Sequence, residues 1–109
     1  MRTFLLSVPT LVLGALAGVA TVAAAEHMIT QKGRAFSVES VAVKRGDTVL
    51  FVNDDTVSHN IMSLSQGNEF NLGAQAPGTA TPVTFNELGD VSVICAIHPR
   101  MKMTVKVTQ

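Results

Sequence analysis

From Met101 to Thr108 the chain reads Met-Lys-Met-Thr-Val-Lys-Val-Thr, apolar and polar residues alternating without a break. A period of two is met by an extended strand with one buried face and by no helix. Beyond residue 25 no window of about eleven residues repeats apolar positions at the helical spacing i, i+3, i+4, i+7. Short alternating or apolar runs bounded by turn residues appear instead. Arg34 to Val43 alternates, Lys44-Arg45-Gly46-Asp47 turns, and Thr48 to Val52 is nearly all apolar before Asn53-Asp54-Asp55 ends it. Asn60 to Leu64, Phe70 to Leu72, Pro82 to Phe85 and Val91 to Cys95 complete the set. Six to eight short strands at this spacing predict an all-β chain, a β-sandwich with Greek-key connections. Lys102 and Lys106 on the solvent face of the last strand predict that it lies at a sheet edge.

Residues 1–25 do not share this pattern. Arg2 precedes an apolar run from Phe4 to Val22, and Ala23-Ala24-Ala25 stands before Glu26. A short basic start, an apolar stretch and small residues at the two positions a signal peptidase reads mark a secretory signal peptide over 1–25. Phe4 to Ala25 is also about long enough to span a ~30 Å hydrocarbon core. Pro9, Gly14 and Gly18 interrupt it and no basic residues follow, so cleavage is expected rather than retention as an anchor. Residues 26–109 then form one exported domain, expected to be a monomer with no membrane segment of its own. With Arg2 removed, the domain carries seven Lys/Arg against eight Asp/Glu, a net charge of −1. Nucleic-acid binding by counterion release needs a basic excess, so that class is excluded. A single cysteine excludes an intrachain disulfide and zinc sites built on several thiolates. In an oxidising compartment a lone thiol is a liability unless it is buried or bound.

The soft donors explain that thiol. His27 and Met28 fall in a segment expected to fray at the mature amino terminus. The remainder gathers in Cys95-Ala96-Ile97-His98-Pro99-Arg100-Met101, with His59 upstream at a strand start. Each residue alone has an ordinary structural explanation: a buried small hydrophobe, a loop histidine, a core methionine. Together, one thiolate, two imidazoles and a thioether form a mixed N/S donor set suited to copper in both common oxidation states.

These residues resemble the blue copper proteins, cupredoxins of the plastocyanin/amicyanin kind, over essentially all of 26–109. The C-x-x-H-x-x-M run of Cys95, His98 and Met101, with Pro99 after the histidine, is similar to amicyanin's short ligand loop. Val41-x-Val43-x-x-Gly46-Asp47-Thr48-Val49-x-Phe51-x-Asn53 followed by His59-Asn60 resembles the approach to the first ligand. Gly89-x-Val91-x-Val93-x-Cys95 resembles the strand that carries the thiolate. The resemblance implies a cupredoxin-like sandwich holding one type 1 copper ion through His59, Cys95, His98 and Met101. It also implies that Asn60 hydrogen-bonds beside the thiolate to tie the ligand loops. His98 would reach the surface within an apolar docking patch of Ala96, Ile97 and Pro99.

The chain departs from the family in lacking Tyr and Trp, in having a second methionine at Met103, and in Arg100, which could favour an acidic partner. Met101 and Met103 share a face. The family's terminal pattern M-x-G-x-V-x-V fits from Met101, which places Val105 and Val107 in register and selects Met101 as axial ligand. The function implied is that of a periplasmic one-electron carrier, not an enzyme. It would exchange electrons with redox proteins such as a dehydrogenase, an oxidase or a c-type cytochrome. The alternative is a periplasmic copper-binding or copper-delivery protein without redox cycling, which His27-Met28 slightly favours. A copper oxidase or reductase would need further histidine clusters, and a metal-free adhesion sandwich would leave the Cys-His-Met crowding unexplained.

Overall fold

A computed structural model describes residues 23–109, so most of the expected 1–25 signal peptide lies outside the described residues. Nine strands and no helix form in that span: β1 (Glu26–Lys32), β2 (Ala35–Phe36), β3 (Ser40–Lys44), β4 (Thr48–Asn53), β5 (Ile61–Ser63), β6 (Phe70–Asn71), β7 (Ala80–Thr84), β8 (Gly89–Cys95) and β9 (His98–Thr108). They make two mixed sheets, ordered β2-β1-β4-β7 and β3-β9-β8-β5-β6. The pairs β1/β4 and β3/β9 are parallel, as the crossovers of a Greek-key sandwich require. The architecture expected from sequence is the one observed.

The inner faces meet over a core that includes Phe51, Ile61, Phe85, Val93, Met103 and Val105. Phe70 bridges Phe51 and Phe85 with ring centroids 6.0 Å from each, at edge-to-face geometry to Phe85. The burial of β9 alternates strictly from Met101 to Val107, as its sequence does.

Three expectations change. Glu26–Lys32 does not fray: it is a complete strand in parallel register with β4, from Glu26↔Thr48 to Gln31↔Asn53. Its pattern is hard to read because one of its two buried positions is a glutamine, Gln31, beside Ile29. The run 34–43 is two strands rather than one. A turn at Gly33-Arg34 returns the chain to β2, and residues 37–39 then carry it across to the second sheet. Finally, β9 is no edge strand; it lies between β3 and β8. Lys102 and Lys106 are exposed because they occupy the outer face of a one-sided sheet, and that face is polar on central and edge strands alike.

At the start of β4, the turn through Gly46 (φ 92°) sets the Asp47 carboxylate inward. It accepts the backbone N–H groups of Lys44 and Ala25 and meets His27 Nε2, each at 2.9 Å. These contacts, the His27 hydrogen bond foremost, hold the Asp47 pKa down at about 2 against an ordinary 3.8. Because the folded-state pKa is the lower one, this stabilisation is complete above the unfolded value and is lost as pH falls from about 4 to 2. Asp47→Asn should therefore be less stable than the wild type at neutral pH and show a flatter decline between those pH values in urea melts. Parallel profiles for the two proteins would contradict the assignment.

Candidate metal centre

The end of β4 fixes the first candidate ligand through buried amides. Asn53 Nδ2 donates to the carbonyls of Val57 (2.9 Å) and Gln75 (2.8 Å), and its Oδ1 accepts the N–H of Asp55 (3.0 Å). Gln75 Nε2 in turn donates to the Phe51 carbonyl at 2.9 Å. Against this frame His59 and Gln75 exchange both backbone hydrogen bonds, at 3.1 and 2.7 Å. The His59 backbone is held from both sides, and its side chain is fully buried.

The ring is fixed as well. His59 Nε2 lies 3.0 Å from Asp55 Oδ2, which also accepts the N–H of Arg34 at 2.8 Å; Asp55 Oδ1 accepts the N–H of Thr56 at 2.8 Å. The backbone donor of Arg34 first, then His59 and Thr56, keep the Asp55 carboxyl well below the usual carboxylate range. An ionised carboxylate can only accept, so His59 Nε2 carries the proton and Nδ1 turns a lone pair inward. This is the carboxylate–histidine arrangement that orients a metal-binding imidazole and raises its basicity.

Cys95, at the end of β8, is completely buried. Its Sγ accepts the N–H of Asn60 at 3.3 Å, and the N–H of Ala96 donates to the Asn60 carbonyl at 2.9 Å. The two ligand-bearing segments are thus tied through the backbone of Asn60. The tie that the resemblance implies for Asn60 is made by its main chain, while its side-chain Oδ1 is buried without a hydrogen-bond partner.

Pairing of β8 with β9 runs regularly to Ile94↔Lys102 and then jumps to Cys95↔His98. The slip of three residues bulges Pro99-Arg100-Met101 and sets His98 opposite Cys95. The turn between the strands is only Ala96-Ile97; His98 and Met101 belong to β9 rather than to a loop. Met101, 2% exposed, ends this bulge and is buried in the same core cluster as Cys95. Met103 pairs with Val93, one pleat deeper.

His59 Nδ1 and His98 Nδ1 are 3.1 Å apart, and Cys95 Sγ is 3.7 Å from each. This is the one cluster of three metal-capable His, Cys, Asp or Glu donors among the described residues. With metal–N bonds of about 2.0–2.1 Å and a metal–S bond of about 2.3 Å, ordinary for a first-row ion such as zinc, a near-trigonal site needs S···N of about 3.8 Å and N···N of about 3.1–3.6 Å. The donors fit. Two inward nitrogens this close need a shared cation or a proton between them, and a thiolate with two imidazoles selects a soft or borderline metal.

His59, Cys95 and His98 are therefore brought together, with Met101 buried alongside. Ala96, Ile97 and Pro99 are exposed around His98, which is half-buried. His27 and Met28 take no part, since His27 is held by Asp47 at the far end of β4. Sequence reasoning missed Asp55, which reads as a strand terminator; its spacing of four from His59 was the available signal. Gln75, in a polar loop, carried none.

A two-sheet sandwich with a thiolate and two imidazoles converging at one end defines a mononuclear copper protein. The family of copper binding proteins described as plastocyanin/azurin matches residues 23–108, and the chain belongs to it. The methylamine utilization protein MauL of Methylorubrum extorquens is 36% identical over 61 residues. That match covers 55% of this chain and 54% of MauL, so the chain spans about half the length of that relative. Amicyanin from Paracoccus versutus superposes with a TM-score of 0.66 at 27% identity, over 75% of this chain and 80% of that one. The Cu-containing nitrite reductase of Thermus scotoductus superposes with a TM-score of 0.71 at 26% identity, over 77% of this chain and 22% of that enzyme. Copper is the metal of the family, and the donor set fits it.

Removing the carboxylate behind His59 should weaken copper binding without unfolding the sandwich. Asp55→Asn is expected to lose about 10–100-fold in copper affinity, measured by competition with a chelator, while circular dichroism stays unchanged. Unaltered affinity would show that the Asp55–His59 contact does not orient the ring for metal.

Proposed function

We propose that the chain is a periplasmic one-electron carrier in which His59, Cys95, His98 and Met101 hold a single type 1 copper ion. The observation that supports this most is the convergence of three donors, two of them fully buried: Cys95 and His98 on paired strands, and His59 on a loop bridged to Gln75. Copper bound there supplies a one-electron couple.

The protein's contribution is constraint. Buried His59 and Cys95 exclude water that would otherwise add to an oxidised site and force rearrangement between states. The Asn60 N–H directed at Sγ neutralises part of the thiolate charge. Met101 would offer copper a weak, polarisable thioether that suits both oxidation states tolerably. His98, half-buried within the patch of Ala96, Ile97 and Pro99, offers the short route from the site to a docked redox protein such as a dehydrogenase, an oxidase or a c-type cytochrome. Small apolar patches serve weak, fast-exchanging complexes of this kind.

The same reading takes residues 1–25 as a signal peptide removed on export and 26–109 as a monomeric domain, in which Asp47 loses the Ala25 donor and keeps His27 and the Lys44 N–H. A carrier rather than an enzyme is supported by scale: the likeness to amicyanin takes in most of that protein, whereas the nitrite reductase is mostly chain with no counterpart here. Copper delivery without redox cycling loses its one sequence argument, because His27 is committed to Asp47.

Two measurements test the reading. Copper added to the purified domain should produce an intense visible thiolate-to-metal band that ascorbate bleaches reversibly and that Cys95→Ser abolishes; a colourless copper complex would contradict it. Met101→Gln, replacing a thioether with a harder oxygen donor, should lower the reduction potential and alter the colour. Met103→Leu should leave both alone and cost at most ~1.5 kcal/mol of stability. The reverse pattern would make Met103 the axial ligand.

A further inference from the structure

A recess of about 370 Å³ opens beside His98, lined by Arg34, Ile97, His98, Pro99, Arg100 and Met101. Its apolar part is Ile97, 55% exposed, with Pro99 and the edge of Met101. Its charged part is two guanidinium groups from distant parts of the chain, and no carboxylate lines it.

Neither arginine is spent on an internal ion pair. Among the described residues the carboxylate pairs are His27–Asp47 and His59–Asp55. The loop after β4 could have neutralised the rim, but Asp55 is turned inward onto His59 and two backbone N–H groups, and Asp54 does not line the recess. The placement of Arg34 is also unexplained by its turn. It is the one non-glycine residue with positive φ (55°) among the described residues, at a position where glycine or asparagine would meet the same backbone demand with less strain. Its N–H serves Asp55, which any residue but proline would do. What arginine adds there is the guanidinium.

We propose that Arg34 and Arg100 form a basic clamp around the His98 recess that selects a redox protein presenting carboxylates around an apolar centre. This deepens the carrier reading above and rests on it. Each guanidinium can take a carboxylate in a bidentate fork in the recess that Ile97 also lines, which fixes orientation as well as attraction. The clamp opposes the charge of the molecule as a whole. Residues 26–109 carry a net charge of −1, so long-range attraction favours cationic partners, while the site of electron exit favours anionic ones.

The two influences have opposite signs, and small redox reagents separate them. The reduced copper-loaded protein is oxidised by anionic ferricyanide, or by the cationic tris(phenanthroline)cobalt(III) complex, one electron passing from the protein to the reagent in each case. Rates are followed from ~0.01 to ~1 M salt, over which the screening length falls from about 30 to about 3 Å. The ferricyanide rate should fall with salt. It should also drop about tenfold in the Arg34→Asn/Arg100→Gln double variant, the lower end of electrostatic steering; asparagine tolerates the turn geometry at position 34. The cobalt rate should rise with salt and quicken in the variant. Hexaglutamate peptide should slow the ferricyanide reaction of the wild type but not of the variant, and phosphatidylglycerol vesicles should leave it unchanged. A ferricyanide rate that rises with salt or ignores the double substitution overturns the clamp. Competition by the vesicles and not by the peptide overturns it in favour of a membrane surface. Failure of the protein to pass an electron to either reagent would instead overturn the carrier reading itself.

Discussion

Between Ile94↔Lys102 and Cys95↔His98 the ladder of β8 and β9 drops three residues, and the geometry of the metal centre follows from that slip. A regular hairpin would put Met101 opposite Cys95 and leave the second imidazole beyond the turn. The bulge instead brings His98 level with the thiol while Met101 stays on the buried face. One irregularity in an otherwise regular pair of strands thus sets an imidazole beside the thiol and leaves a thioether buried in the same core cluster. Bulges commonly re-aim side chains beside functional sites, and here the sheet on either side is well enough paired to hold one.

The fourth donor arrives from elsewhere and depends on a different device. His59 follows β4 through a polar loop, which alone would leave it mobile. Hydrogen bonds remove that freedom: the Asn53 side chain takes up backbone groups of the loop, the Gln75 main chain pairs with that of His59, and Asp55 orients the ring. Such a network is costly where it is incomplete, since an unpaired buried polar group loses its hydration without replacement. The Nδ2 of Asn53 and the Nε2 of Gln75 are spent on main-chain carbonyls around the site, whereas Gln75 Oε1 is buried without a partner. The Asn60 N–H to Cys95 Sγ then joins this half of the site to the β8–β9 half.

Much of this was legible in the sequence, for definite reasons. Period-two alternation is a local property, so the sandwich and the inward face of β9 could be read directly. The Cys95–Met101 spacing is local as well, and with His59 it identified the donors that the fold brings together. What could not be read depends on contacts distant in sequence. Gln31 is polar and buried, so β1 looked like a frayed end. Lysines on the outer face of β9 look the same whether that strand is central or peripheral. Asp55 takes its role from Arg34, on a turn between two other strands, and the basic lining of the His98 recess exists only once β9 and that turn are side by side.

The common thread is that the scaffold fixes the donors, so that the site need not rearrange when its oxidation state changes. Extended X-ray absorption at the copper edge, recorded on the oxidised and reduced forms of the same preparation, tests this directly. The account predicts two nitrogen donors, the Cys95 thiolate and a weaker Met101 thioether sulfur in both states, with metal–ligand distances nearly the same. A ligand lost on reduction, or water gained on oxidation, would contradict it.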